Sequence, residues 1–119
     1  MRWNMFIDDE RNPEDATWAH WYQNYKSGLI DFVVVRNKAQ VIQSIFDHGK
    51  IGPNFISFDH DLGKDEQTGY DIAKWIVEMD MDGVIIIPNP FVFYVHSQNP
   101  VGKKNIQNYL DNYMKFMEK

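Results

Sequence analysis

Asn54-Phe55-Ile56-Ser57-Phe58-Asp59-His60-Asp61-Leu62-Gly63 decides how this chain is read. Its first five residues have the character of a strand; the acids and imidazole that follow stop it ahead of a glycine. A carboxylate at the end of a buried strand is costly unless it meets a cation or takes part in chemistry. Two other stretches end in the same way, Phe6-Ile7 running into Asp8-Asp9 and Tyr94-Val95 into His96-Ser97. In an open α/β sheet the carboxyl ends of the strands converge on one crevice, and ligands bind there. Strands that end in acid, imidazole or hydroxyl therefore predict a functional site at that crevice.

Outward from this stretch, strands alternate with helices. Trp3 to Ile7 reads as the first strand, stopped by Asp8-Asp9-Glu10-Arg11-Asn12-Pro13. Pro13 can open a helix, with Glu14 and Asp15 in its first turn, Trp18, Tyr22 and Tyr25 at helical spacing and Gly28 as its stop. Asp31 to Val35 is rich in β-branched residues and makes a second strand. Val41, Ile42, Ile45 and Phe46 recur at helical spacing from Lys38 to about Gly49. Phe55 to Phe58 is the third strand, and Ile72, Ala73, Ile76 and Val77 mark a helix closed by Asp82-Gly83. Pro88-Asn89-Pro90 splits the next apolar segment into a short piece and a strand, Phe91 to Val95. Ile106, Tyr109, Leu110, Tyr113, Met114 and Met117 form the clearest helical stripe in the chain. The alternation predicts an α/β fold, a three-layer and mostly parallel sheet, in a single domain spanning residues 1–119.

Composition narrows the function classes. The 119 residues suffice for one proper core. A net charge of -5 argues against a sequence-independent grip on duplex nucleic acid, which relies on a basic surface. It leaves room for a small phosphorylated substrate in a local pocket. The absence of cysteine removes disulfides, thiolate catalysis and Cys-ligated zinc together. No basic segment followed by an apolar run opens the chain, and Val84 to Ile87 is too short to span a membrane. A soluble, cytoplasmic domain is the expectation.

The residue types then point to chemistry. Asp8, Asp9, Asp59 and Asp61 would repel one another if gathered, and a divalent cation is the usual remedy. Oxygen ligands suit Mg²⁺, with Mn²⁺ as a substitute; each acidic pair alone could equally cap a turn. His60 and His96 are the groups suited to moving a proton near neutral pH, whereas His20 and His48 stand without such company. A transition metal held by aspartate and both imidazoles is a further option, although the spacing matches no zinc motif. Ser97-Gln98-Asn99-Pro100-Val101-Gly102 leads into the last helix, and hydroxyl, amides and a helix N-terminus make an anion seat. Ordinary capping by Ser97 or Asn99 would use the same residues. Arg11 could clamp a phosphate or pair with Glu14, and Thr68-Gly69 could simply start a helix. Adjacent side chains on a strand point to opposite faces. His60 therefore opposes Asp59, and His96 opposes Ser97, unless the chain turns between them.

Asp8 and Asp9 after the first strand, Asp59 after the third and Ser97 after a later one resemble bacterial response-regulator receiver domains. More closely, four motifs resemble the cyclic-phosphate processing receiver domains. They are Asp8-Asp9-Glu10-Arg11-Asn12-Pro13, Ser57-Phe58-Asp59-His60-Asp61-Leu62-Gly63, Thr68-Gly69-Tyr70-Asp71, and His96-Ser97-Gln98-Asn99-Pro100-Val101-Gly102-Lys103-Lys104-Asn105. The resemblance implies a receiver (flavodoxin-like) sheet without its fifth strand, and Mg²⁺ on Asp8, Asp9 and Asp59 with help from Asp61. Ordinary receivers end that fifth strand in a lysine that pairs with the phosphorylated acid; nothing in this sequence supplies one. The reading that follows is a metal-dependent phosphoesterase acting on a cyclic phosphate, either a 2′,3′-cyclic RNA end or a cyclic nucleotide. His96 and His60 would exchange protons, His96 being favoured because it adjoins the phosphate seat. Ser97, Asn99, Asn105 and Arg11 would orient the phosphate, and Asp59 would serve as metal ligand or nucleophile. The rivals are a stand-alone signalling module phosphorylated on Asp59 and a nucleotide-binding protein without turnover.

Overall fold

A computed structural model describes residues 2–63 and 68–117 of the chain. Strands β1 (Asn4–Ile7), β2 (Val33–Val35), β3 (Phe55–Phe58) and β4 (Val92–Val95) form one sheet in the order β2-β1-β3-β4. Every pairing in it is parallel. Helices α1 (Tyr22–Lys26), α2 (Lys38–Asp47), α3 (Gly69–Met81) and α4 (Pro100–Met117) connect or follow the strands, and a 3₁₀ turn spans Pro13–Asp15. Among the described residues the sheet stops at four strands, and α4 follows β4. The shortened α/β fold expected from the sequence is the fold observed. No helix among the described residues is long and apolar enough to cross a membrane.

The sheet has unequal coverings, and strand alternation explains them. Met5, Ile7, Val35, Ile56, Phe58 and Val95 point to one face, where they meet Val41 and Ile45 of α2, Ile72, Ala73, Ile76 and Val77 of α3, and Ile106 and Leu110 of α4. The intervening positions Phe6, Phe55 and Tyr94 point to the other face, against Ala16, Ala19, Trp21, Tyr22 and Tyr25. Three amphipathic helices thus cover one side, while the segment between β1 and β2 covers the other with aromatic rings.

That segment departs from the sequence expectation. The spacing of Trp18, Tyr22 and Tyr25 predicts one helix from Pro13 onward. The structure has a 3₁₀ turn, a set of i→i+3 turns through Ala16 and Ala19, and a helix confined to Tyr22–Lys26. Ala16 breaks the run with a ψ of 60°. Trp18 is held elsewhere, its indole N–H donating to the carbonyl of His96 at 2.9 Å. A tertiary hydrogen bond overrides the local periodicity.

Helix α3 starts as the Thr68-Gly69 pair suggests. The Asp71 N–H donates to the Thr68 hydroxyl, and the Asp71 carboxylate accepts from the Thr68 N–H at 3.0 Å, a reciprocal capping box. Gly69 has a further reason to be glycine, because a β-carbon there would lie 2.0 Å from the carbonyl oxygen of Asp59. The start of α3 is pressed against the backbone at the end of β3, and Gly69 donates its N–H to the His60 carbonyl at 2.8 Å.

Candidate metal and phosphate site

The register of the sheet builds the site. Ile7 pairs with Phe58, and Phe58 with Val95. The ladder then continues by one residue on each strand. Asp8 donates its N–H to Val35 at 3.1 Å, Asp59 to Ile7 at 2.8 Å, and His96 to Phe58 at 2.9 Å. Asp8, Asp59 and His96 therefore stand level on neighbouring strands. Their parity is that of Phe6, Ser57 and Tyr94, so all point to the aromatic side of the sheet. One carboxylate oxygen each from Asp8 and Asp59 and one ring nitrogen of His96 lie within 4.8 Å of one another, and all three residues are buried.

Asp8 and His96 are held from behind. Oδ1 of Asp8 accepts from the backbone N–H groups of Glu10 at 2.9 Å and Arg11 at 2.8 Å. Its Oδ2 lies 3.0 Å from Nε2 of His96 and 3.6 Å from Nη1 of Arg11. The His96 ring stacks on Phe6 with centroids 4.5 Å apart, and its Nδ1 is 2.8 Å from the Ser57 hydroxyl oxygen. Trp21 donates its indole N–H to that same oxygen at 2.9 Å.

The two carboxylates respond to these surroundings in opposite directions. Burial alone would raise Asp8, but the His96 contact and the amides of Arg11 and Glu10 outweigh it and hold the pKa below 3.8. Asp59 is pushed up to about 6, first by burial and then by the neighbouring charge of Asp8. His96, the His60 amide and the Ser97 hydroxyl only partly oppose that rise. Two carboxylates forced together with one held partly protonated is an arrangement that a bound cation relieves. The oxygen donors fit a hard divalent ion, while both ring nitrogens of His96 stand at hydrogen-bond distance from Asp8 and Ser57.

An open cavity of about 440 Å³ lies over this set, lined by Asp8, Asp9, Glu10, Arg11, Asp59, Asp61, Gly63, Ser97, Gln98 and Asn99. The acids and the anion seat expected from the sequence thus share one cavity. Asp9 and Asp61 line its wall but fall outside the close set, which contains His96 in their place. Ser97 accepts the Asn99 N–H at 3.1 Å, and Asn99 Oδ1 accepts the Gly102 N–H at 3.0 Å, so capping and site share residues. Arg11 reaches the cavity while its guanidinium lies 5.2 Å from the centre of the Trp18 ring. Asn105 lies exposed on α4 and is not among the lining residues.

The two histidines part company, as strand alternation requires. His96 is fully buried behind Asp8 rather than standing at the rim. His60 has the parity of Phe58 and turns toward α4. Its Nδ1 is 3.1 Å from Asp61 Oδ1, and its ring rests where a β-carbon on Gly102 would come within 2.2 Å of Cγ. Asn99 Nδ2 donates to Asp61 at 3.3 Å, tying that wall together.

Three supporting residues were not singled out by sequence reasoning. Arg36 follows β2 and donates from Nη1 to the carbonyl of Asp8 at 3.1 Å and to the carbonyl of Arg11, and from Nη2 to Asn12 Oδ1. It braces the loop that carries Asp8 to Asn12. A basic residue at the carboxyl end of a strand was its signal. Ser57 carried one as well, since a hydroxyl among apolar residues on a buried strand needs a partner. Trp21 carried none beyond being aromatic.

A family model of the cyclic-phosphate processing receiver domain matches residues 3–112. No curated protein matches the chain. A similar solved structure is the signal receiver domain of a protein described as a Luxo repressor from Vibrio parahaemolyticus. It aligns over 99% of this chain and 94% of that one, with 14% identity and a TM-score of 0.48. With 3–112 covered by one family model, this chain belongs to the cyclic-phosphate processing receiver domain family.

Proposed function

We propose that the protein is a metal-dependent phosphoesterase that opens a cyclic phosphate, such as a 2′,3′-cyclic nucleotide or RNA end. The observation that carries this reading is a cavity in which buried Asp8 and Asp59 face Arg11, Ser97 and Asn99. A cation seat and an anion seat share one wall, which suits a phosphate that bridges them. When bound at Asp8 and Asp59, with Asp9 alongside, Mg²⁺ or Mn²⁺ would polarise the phosphoryl oxygens and acidify a water. Arg11, Ser97 and Asn99 orient the phosphate, and Asn105 is the least supported member of that group because it lies off the cavity.

In the reaction, water adds to phosphorus and one phosphorus–oxygen bond to the sugar breaks. The water proton and the proton gained by the sugar oxygen require a group that can exchange both. His60 takes that role in our reading. It bonds to Asp61 and approaches Asn99, both cavity residues, and its ring is partly exposed. His96 acts behind Asp8.

The direct experiment is incubation of the protein with nucleoside 2′,3′-cyclic phosphates and Mg²⁺ or Mn²⁺, with products followed by ³¹P NMR. Conversion to a monoester that depends on the metal and disappears in Asp59→Asn supports the reading. Incubation with acetyl phosphate and Mg²⁺ forms the second arm. A lasting gain of one phosphoryl group on Asp59 by intact mass, without turnover of cyclic phosphates, would overturn hydrolysis in favour of signalling.

A further inference from the structure

The hydrogen-bond chain behind the site has a direction, and the direction can be worked out from donors and acceptors. Ser57 has one hydroxyl proton and two lone pairs. Among the described residues its oxygen has two partners, the Trp21 indole N–H at 2.9 Å and His96 Nδ1 at 2.8 Å. The indole nitrogen can only donate, so it occupies one lone pair of Ser57. The hydroxyl proton then has a single acceptor available, His96 Nδ1. If Nδ1 carried a proton itself, it would take the second lone pair and leave the Ser57 proton stranded in a buried setting, which is costly. Nδ1 is thus the bare nitrogen, and the ring proton sits on Nε2, 3.0 Å from Asp8 Oδ2.

We infer that Trp21 and Ser57 are positioning residues that lock His96 in its Nε2–H tautomer, making it a hydrogen-bond donor to Asp8 rather than a metal ligand. In this arrangement every polar group is used. Trp21 donates to Ser57, Ser57 to Nδ1, Nε2–H to Asp8 Oδ2, and the Glu10 and Arg11 amides to Oδ1. Asp8 is fixed through both oxygens while Oδ2 keeps a lone pair for a cation. A direct ligand role for Nε2 would require it to lose its proton, move a proton onto Nδ1 and strand the hydroxyl of Ser57. The stack of the imidazole on Phe6, with planes 6° apart, leaves the ring no easy tilt toward another partner. The inference extends the metal site of the proposed function to the aromatic layer behind it, and it rests on that reading only for the identity of the ion.

The test is long-range ¹H–¹⁵N correlation NMR of the His96 ring at one fixed pH near 7.5, in the metal-free chain and with Mg²⁺. Metal-free wild type should show a protonated Nε2 and a bare Nδ1, and the Nε2 proton should survive Mg²⁺ addition. Trp21→Phe frees a lone pair of Ser57 to accept from Nδ1 and should let a share of ring protonated on Nδ1 appear; Ser57→Ala takes away donor and acceptor alike, so Nδ1 should stay bare while the ring loses its anchor. Loss of such an outer support costs roughly 10–100-fold in metal affinity, so Mn²⁺ binding by calorimetry should fall within that range. Trp21→Phe keeps an aromatic ring in place and serves if Ser57→Ala fails to fold. A proton on Nδ1 in wild type, or loss of the Nε2 proton on Mg²⁺ addition, overturns the inference. So do two folded variants whose tautomer and Mn²⁺ affinity equal those of wild type. The ring readout is independent of turnover, so a locked tautomer in a chain that hydrolyses no cyclic phosphate would sink the proposed function alone.

Discussion

Asp59→Asn should stabilise the metal-free protein at neutral and alkaline pH. The carboxyl of Asp59 is raised from 3.8 to about 6 in the folded chain. Between those values the folded state holds a proton that the unfolded state has released. Stability therefore declines as pH rises through that window and levels off above the folded pKa. Asparagine resembles the protonated acid in shape and carries no charge, so it removes the dependence. A difference of about two pK units corresponds to about 3 kcal/mol, an upper figure because the amide must also be desolvated. At this chain length that is roughly 10 °C in melting temperature. The assay is urea unfolding followed by tryptophan fluorescence at pH 4 to 8 with a chelator present. The two proteins should be nearly equal at pH 4 and diverge steadily to pH 7, Asp59→Asn being the more stable. Excess Mg²⁺ should then reverse the order: at 1,000 times its Kd an ion adds about 4.1 kcal/mol to the protein that binds it, more than the advantage of the variant. A variant less stable than wild type at pH 8 with chelator would refute the reasoning. It would show that the carboxylate of Asp59 makes a net favourable contact instead of bearing repulsion from Asp8.

Four further outcomes are expected. His60→Ala should lower turnover of a cyclic phosphate by roughly 10²–10⁴-fold, while calorimetry finds Mg²⁺ affinity little changed. Gly102→Ala should cost about 1–3 kcal/mol, because the new methyl would occupy the place of the His60 ring. Adding His60→Ala should return part of that loss in a thermal melt, revealing the coupling. Arg36→Lys should weaken Mn²⁺ binding by roughly tenfold, as one ammonium cannot serve the acceptors that the guanidinium braces. Thr68→Ala should cost about 1 kcal/mol through loss of the cap on α3 and leave metal affinity unchanged.

The parts of the site that were legible in the sequence are those set by short-range pattern. Apolar runs ending in Asp8, Asp59 and His96 announced both the strands and the edge at which they converge. The turn from Ser97 to Asn99 that opens α4 was legible because a helix start has a local signature. Which histidine faces the carboxylates depended on whether each strand continued by one more residue. That is decided by ladder bonds from Asp59 to Ile7 and from His96 to Phe58, which no local pattern records. Trp18 misled for the same reason, since its partner carbonyl lies 78 residues away in sequence. Trp21 and Arg36 were missed because their partners belong to other elements. A polar atom's need for a partner is visible in a sequence, whereas the partner's address is not.

Because Asp8, Asp59 and His96 occupy a single rung, the site is written in residue count as well as in residue identity. Deleting one position within β1, β3 or β4 would swing the following functional group through the sheet to the helical side. Deleting two would restore its orientation but draw it back along the strand by about 7 Å, beyond reach of its neighbours. Substitutions can be absorbed one side chain at a time; a change of length cannot. The loops are free to lengthen or shrink during evolution, yet the three strands that bear these groups are held to a fixed arithmetic of even and odd.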